Sequence, residues 1–425
     1  MSRPILIRGI RQLLTLRGPN RARRGADLRN LGIIQDGAIL IADGLIREVG
    51  PSRRLENLAE ARSATEINGA GRVVLPGFVD SHTHLVSGPA RFADYEMHLA
   101  GASREEIAGA GGGLAAIHRA IQDAPLQTLE QQAWRIMQES LRQGTTTIEA
   151  KAGYGINESG ELKILRTHAA LNQRVDAVVS TLLCGRFLPS EYGLSREEHL
   201  QWLLSTMLPL VRRRKLAEFI DVSCEEDNLS VEQSRHLLSQ ARHLGFQVKI
   251  HTGQFANTGG AKLAAELGVL SIDHAVHLDP EDITALAQSS AVVTLLPGTS
   301  FFLGTQRFAP ARQLIDHGAA VALATNYNAE SCPSQNMQMV IALACRRMSM
   351  SPAEAISAST INGAYAVARG DQTGSIEFGK QADLIMLSVP DYREIPYYFG
   401  VNLVAMTMKR GRVVYQASEV QCQNN

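Results

Sequence analysis

Val73-Val-Leu-Pro-Gly-Phe-Val-Asp-Ser-His-Thr-His-Leu-Val86 is the stretch whose reading decides the fold. An apolar run rich in β-branched residues ends in His82-Thr83-His84. Alternate residues of a strand point to the same side, so the two imidazoles can converge on one point, as in a metal clip. Two ligands do not make a metal site. Taken alone, the pair reads equally well as two polar residues closing a strand, and a metal centre requires further histidines at the ends of later strands. His251 and His274 stand in such places.

Outward from this stretch, residues 76–371 alternate apolar strand-like runs with helix-like segments, which predicts an α/β fold, an eight-stranded (β/α)8 TIM barrel with insertions. Strand starts are expected near Phe78, Thr145, Ala177, Phe219, Val248, Leu270, Val292 and Val321. Two helix starts carry capping boxes, Ser230-Val-Glu-Gln233 and Ser351-Pro-Ala-Glu354, the second with proline at the first helical position. The glycines from Gly109 to Gly113 follow no phosphate-loop spacing and read as a turn in a long insertion after the first barrel strand. Residues 1–75 and 372–425 look different: short strands and turns, with Ala42-Asp43-Gly44 as a hairpin turn. Neither end has enough strands to bury a sheet face alone, so both are expected to pair into one composite β-sandwich domain beside the barrel domain.

With 425 residues, 45% hydrophobic and 20% charged, the chain is long enough for one large core and a smaller unit. Forty-two basic residues balance forty-two acidic ones, and the clusters Arg21–Arg24 and Arg212–Lys215 lack interleaved aromatics, so no nucleic acid is expected as a partner. The five cysteines, Cys184, Cys224, Cys332, Cys345 and Cys422, form no C-x-x-C spacing and read as free thiols of a reducing compartment. Neither a signal-peptide core nor an apolar run of about 18 residues is present. The expectation is a cytoplasmic protein with no membrane partner.

Placed on a barrel, the polar strand ends fall on one face: His82 and His84 after strand 1, His251 after strand 5, His274 after strand 6 and Asn326 after strand 8. Barrel chemistry sits at the C-terminal ends of the strands, whereas histidines packed only for structure should scatter. His98, His118, His168, His199, His236, His243 and His317 do scatter, over helical or loop contexts, and read as solvated or packing residues.

Several blocks are similar to one family. Pro76-Gly-Phe-Val-Asp-Ser-His-Thr-His-Leu85, Gly144-Thr-Thr-Thr-Ile-Glu-Ala-Lys-Ala-Gly-Tyr-Gly155, Lys249-Ile-His251 with Gln254, Ser271-Ile-Asp-His274, Leu296-Pro-Gly-Thr299 and Pro396-Tyr-Tyr-Phe-Gly-Val-Asn402 together resemble the imidazolonepropionase family of the amidohydrolase superfamily. The His-Thr-His motif indicates only the superfamily; the Gly-Tyr-Gly block and the tail are more specific. The resemblance spans nearly the whole chain. It implies a metal-dependent barrel, a flanking β-sandwich, a homodimer, and a small-molecule reaction: hydrolysis of 4-imidazolone-5-propanoate to N-formimino-L-glutamate in histidine degradation.

By the resemblance, one divalent metal, Zn or Fe, is held by His82, His84, His251 and the residue at 326, and Gln254, His274 and Asn326 take part in catalysis. Arg91, Tyr154, Arg186, Asn328 and Ser331 would bind the substrate, with Arg91 gripping its propanoate. Read without the family, Arg91 is an exposed loop arginine and Tyr154 a packing residue. The stretch Phe219-Ile-Asp-Val-Ser-Cys-Glu-Glu226 offers no lysine to bridge two metals, which favours a single ion. Two positions depart from the family pattern. Asn326-Tyr327-Asn328 replaces Asp-Phe-Asn, and an amide brings neither charge nor proton acceptance. Arg186 replaces a histidine. Three functions therefore follow as alternatives: the family reaction itself, a related amidohydrolase with a more anionic cyclic amide, or a small-anion-binding homologue without turnover.

Overall fold

The computed structural model describes residues 3–155, 157–186 and 193–418, and Cys422 lies outside them. Residues from both chain ends build one mixed sheet. From the N-terminal end come β1 (Ile5–Leu14), β2 (Ile33–Ala42), β3 (Leu45–Pro51), β4 (Thr65–Asn68) and β5 (Val73–Pro76). The turn between β2 and β3 puts Asp43 at φ +52° and Gly44 at φ +78°, the left-handed pair that a two-residue hairpin requires.

Eight parallel strands follow as the barrel: β6 (Phe78–Thr83), β7 (Thr145–Ala152), β8 (Val178–Cys184), β9 (Phe219–Cys224), β10 (Gln247–Thr252), β11 (Ser271–His274), β12 (Val292–Leu295) and β13 (Ala320–Leu323). Each starts within one residue of its expected position. Where β13 meets β6, the closure is made by the functional segments themselves: Asn326 N donates to the His82 carbonyl (3.0 Å) and His84 N to the Tyr327 carbonyl (2.7 Å). Both expected capping boxes are present, at Ser230 and Ser351. The glycine run is a turn between helices Arg104–Gly109 and Gly113–Asp123.

The chain then returns to the first sheet through β14 (Leu384–Leu387), β15 (Val404–Lys409) and β16 (Arg412–Gln416). β5 joins the two ends, parallel to β1 and antiparallel to β14. Period-two alternation gives this sheet two apolar faces. Val74, Leu384, Met386, Met406 and Met408 pack with Ile7, Ile39, Ile41 and Ile46, so strands from opposite ends of the sheet share one interior. Val73, Leu75, Ile385, Leu387 and Val404 face the barrel core instead. The chain passes from sheet to barrel at Gly77, where a Cβ would lie 2.2 Å from Thr146 Oγ1, so only glycine fits.

Candidate active site

The four strand-end histidines meet at the mouth of the barrel. Ring centroids are 5.5 Å apart for His82 and His84, 5.9 Å for His82 and His251, 5.6 Å for His82 and His274, and 4.2 Å for His251 and His274. All four are buried, and each has a ring nitrogen without a hydrogen-bond partner: His82 Nε2, His84 Nδ1, His251 Nδ1 and His274 Nε2. Four such nitrogens gathered at one point form a donor set that a metal ion would satisfy.

Two of the remaining nitrogens are tied down. His82 Nδ1 lies 2.7 Å from Asp273 Oδ2, and a carboxylate can only accept, so Nδ1 carries the proton and Nε2 its free lone pair. Gln254 Oε1 stands 3.2 Å from His251 Nε2 and leaves Nδ1 free in the same way. The Gln254 loop is in turn held by its backbone N–H on Glu225 Oε1, at 2.8 Å. Burial pushes His82 down to about 4; burial, with nearby Arg186, puts His84 well below the usual imidazole range, and burial beside other histidines does so for His251 and His274. All four stay neutral at neutral pH, the form that binds a metal.

His82, His251 and His274 bring ligand atoms within 4.8 Å of one another, so the donor set fits a divalent metal. His84 stands slightly apart. β6 ends at Thr83, the pleat does not carry through to His84, and its ring packs edge-on against Tyr154 at 5.0 Å. Backbone at the site is in the left-handed region at His274 (φ +79°), Ala275 (φ +51°) and Asn326 (φ +55°), a conformation that costs energy and clusters where function demands it.

Asn326 donates through Nδ2 to Thr299 Oγ1 at 2.8 Å, leaving its carbonyl oxygen as the atom available to a ligand. Asn328 is spent on its own turn: Oδ1 accepts from Glu330 N (2.9 Å), Ser331 N (2.7 Å) and Ser331 Oγ (3.2 Å). Tyr154 is fully buried, and burial pushes its phenol up to about 12. Its oxygen accepts from Arg186 Nη1 at 2.9 Å, and the guanidinium lies 4.8 Å from its ring centroid. Arg186 is also neutralised by Glu330, at 3.1 Å. Arg91 spends Nε and Nη2 on the Asp94 carboxylate, at 2.7 and 2.9 Å, and keeps Nη1 uncommitted to that pair.

Sequence reasoning missed the layer beneath. Lys151 Nζ touches Asp221 Oδ2 (2.7 Å), Asp273 Oδ2 (3.0 Å) and Glu149 Oε1 (3.2 Å), while Lys249 Nζ reaches Glu149 Oε2 (2.6 Å). Burial opposes the Lys151 ammonium, but the carboxylates outweigh it and hold its pKa well above the ordinary lysine value. Burial likewise opposes the Asp273 carboxylate, yet Lys151, Lys249 and His82 hold it well below the usual range. Charged residues inside otherwise apolar strand runs were the available signal. Glu330 and Asp94 lie in loop and helix contexts that gave none.

Comparisons with known proteins agree with this geometry. The Amidohydrolase family model matches residues 73–414. The chain is 39% identical to the imidazolonepropionase of Alkaliphilus metalliredigens over 98% of its own length and 99% of that protein's. It is 41% identical to that of Parabacteroides distasonis, over 96% and 98%. Among solved structures, a zinc-bound adenosine deaminase from Xanthomonas campestris superposes with a TM-score of 0.70 at 19% identity, covering 99% of this chain and 94% of that one. An atrazine chlorohydrolase from Arthrobacter aurescens complexed with zinc gives 0.66 at 17%, covering 97% and 95%, and these two likenesses concern the fold alone. Conserved architecture, converging neutral histidines and full-length relatives give one conclusion: the chain belongs to the amidohydrolase family and, within it, to the imidazolonepropionases.

Proposed function

We propose that the chain hydrolyses the ring C–N bond of 4-imidazolone-5-propanoate to give N-formimino-L-glutamate, with one divalent metal, Zn or Fe, at the histidine cluster. The observation that carries this reading is the convergence of four buried, neutral imidazoles with orphaned nitrogens on a chain about 40% identical to imidazolonepropionases. Bound there, a divalent metal supplies Lewis acidity, which makes water acidic enough to lose a proton near neutral pH.

The protein groups divide the remaining work. His82, His84 and His251 hold the metal, the first oriented by Asp273 and the third by Gln254. His274 Nε2, neutral and unpartnered, takes the proton from the attacking water and returns it to the leaving nitrogen. Asn326 cannot share that task, since an amide accepts no proton at a working pH. Arg91 Nη1 grips the propanoate, and Tyr154 and Arg186 close the pocket. Glu330 already balances Arg186, which argues against a substrate of higher negative charge.

His274 lies close enough to act there, since its ligand atom groups with those of His82 and His251. The protein is a cytoplasmic homodimer, in line with its family and with four unpaired cysteines among the described residues, three of them buried. Purification with metal analysis, then assay on imidazolone propanoate beside other cyclic amides, tests the function. One bound metal with preferred turnover of imidazolone propanoate is expected. Bound metal without turnover would make the protein a binding homologue.

A further inference from the structure

Below the histidines, alternate barrel strands each send one carboxylate inward: Glu149 from β7, Asp221 from β9 and Asp273 from β11. All three are 0% exposed, and all three converge on a single atom, Lys151 Nζ. Carboxylate oxygens from three strands around one positive centre are what a protein builds for a hard divalent ion. A further observation points to a cation position. Asp221 Oδ1 is buried with no partner, while Glu149 and Asp273 bring carboxylate oxygens within 4.8 Å of each other. Lys249 does not fill the same place, for it binds the other oxygen of Glu149 and stands 3.9 Å from Asp273.

We propose that the Lys151 ammonium is the resident occupant of a second, carboxylate-lined cation position, and that by filling it the chain restricts its centre to one metal. The position lies directly under His82, whose Nδ1 shares Asp273 with the ammonium. Taking Lys151 away leaves three buried carboxylates with Lys249 as their one lysine, and uncompensated buried charge is strongly destabilising. A divalent cation is small enough to take the vacated place and carries the charge the carboxylates require. This role rests on the single-metal reading of the centre.

The test is metal stoichiometry, measured by elemental analysis after equilibration with Mn²⁺ alone and desalting, on the full chain and on Lys151→Met. The wild-type count reports on the single-metal reading, and the difference between variant and wild type reports on Lys151. The variant is expected to bind one equivalent more than the wild type and to gain thermal stability with added Mn²⁺. Adding Asp221→Asn to Lys151→Met should weaken that extra equivalent by about tenfold or more, as loss of a supporting carboxylate does. A folded Lys151→Met that binds no more Mn²⁺ than the wild type overturns the role. If Lys151→Met folds only with Mn²⁺ present, the role is supported; if neither it nor Lys151→Gln folds with Mn²⁺, the role is overturned.

Discussion

The mouth of the barrel and the layer directly beneath it are both buried and both polar, yet they are satisfied in opposite ways. At the mouth, four imidazoles each leave a nitrogen without a partner. One layer down, the Lys151 ammonium is surrounded by three carboxylates at 2.7–3.2 Å and Lys249 sits 2.6 Å from Glu149. Burial alone therefore does not mark a reaction site; several unpaired ring nitrogens gathered at one point do. The lower layer acts as foundation. Its charges are held in one geometry by one another, and Asp273 carries that geometry upward to His82.

Cutting the connection between the layers should give the largest effect. Asp273→Asn keeps the shape but removes the charge that faces both His82 and Lys151, and breaking a buried pair costs about 3–5 kcal/mol. Urea unfolding should show that loss, and metal affinity should fall by about 10- to 100-fold as His82 loses its orienting acceptor. A variant as stable as the wild type, with unchanged metal affinity, would break the distinction between site and foundation. Restoring a charge at the mouth should act in the other direction and more weakly. Asn326→Asp adds a proton acceptor beside the histidines, and kcat/KM on imidazolone propanoate should rise by one decade or more, about 1.4 kcal/mol per decade. The gain should appear as pH rises through the pKa of the new carboxylate, which a neighbouring cation holds low, so it is complete near neutrality. A rise under about threefold, less than 1 kcal/mol, would mean that the missing carboxylate does not limit the reaction.

The same contrast explains what could be read before folding. Barrel strands are short apolar runs separated by helices, a local pattern, and the starts of β6, β7, β9 and β12 are at the expected residues. Capping boxes are local too, and Ser230 and Ser351 were legible for that reason. The strand-end histidines could be grouped because barrel topology puts all C-terminal ends on one rim. By contrast, Lys151 meets Asp221 across 70 positions of sequence, and Arg186 meets Glu330 across 144. Nothing near either residue announces its partner. His84 shows the limit of a periodic argument: alternation holds only while the strand lasts, and β6 ends one residue earlier. Arg91 was expected through its family to grip a substrate carboxylate; its engagement by Asp94 was not foreseen and depends on the helix Phe92–Leu99 that follows it.

On the proposed reading, the orphaned nitrogens at the mouth hold one catalytic metal, with His84 as a ligand and His274 as the proton acceptor. The most direct measurement is the bound metal per chain, after loading with Zn²⁺ and dialysis, of the wild type, His84→Ala and His274→Ala, each with its turnover. One metal is expected in the wild type, with loss of that metal in His84→Ala and a His274→Ala that keeps its metal but loses turnover. Metal retained by His84→Ala and lost from His274→Ala, or a wild type that takes up none, would contradict it.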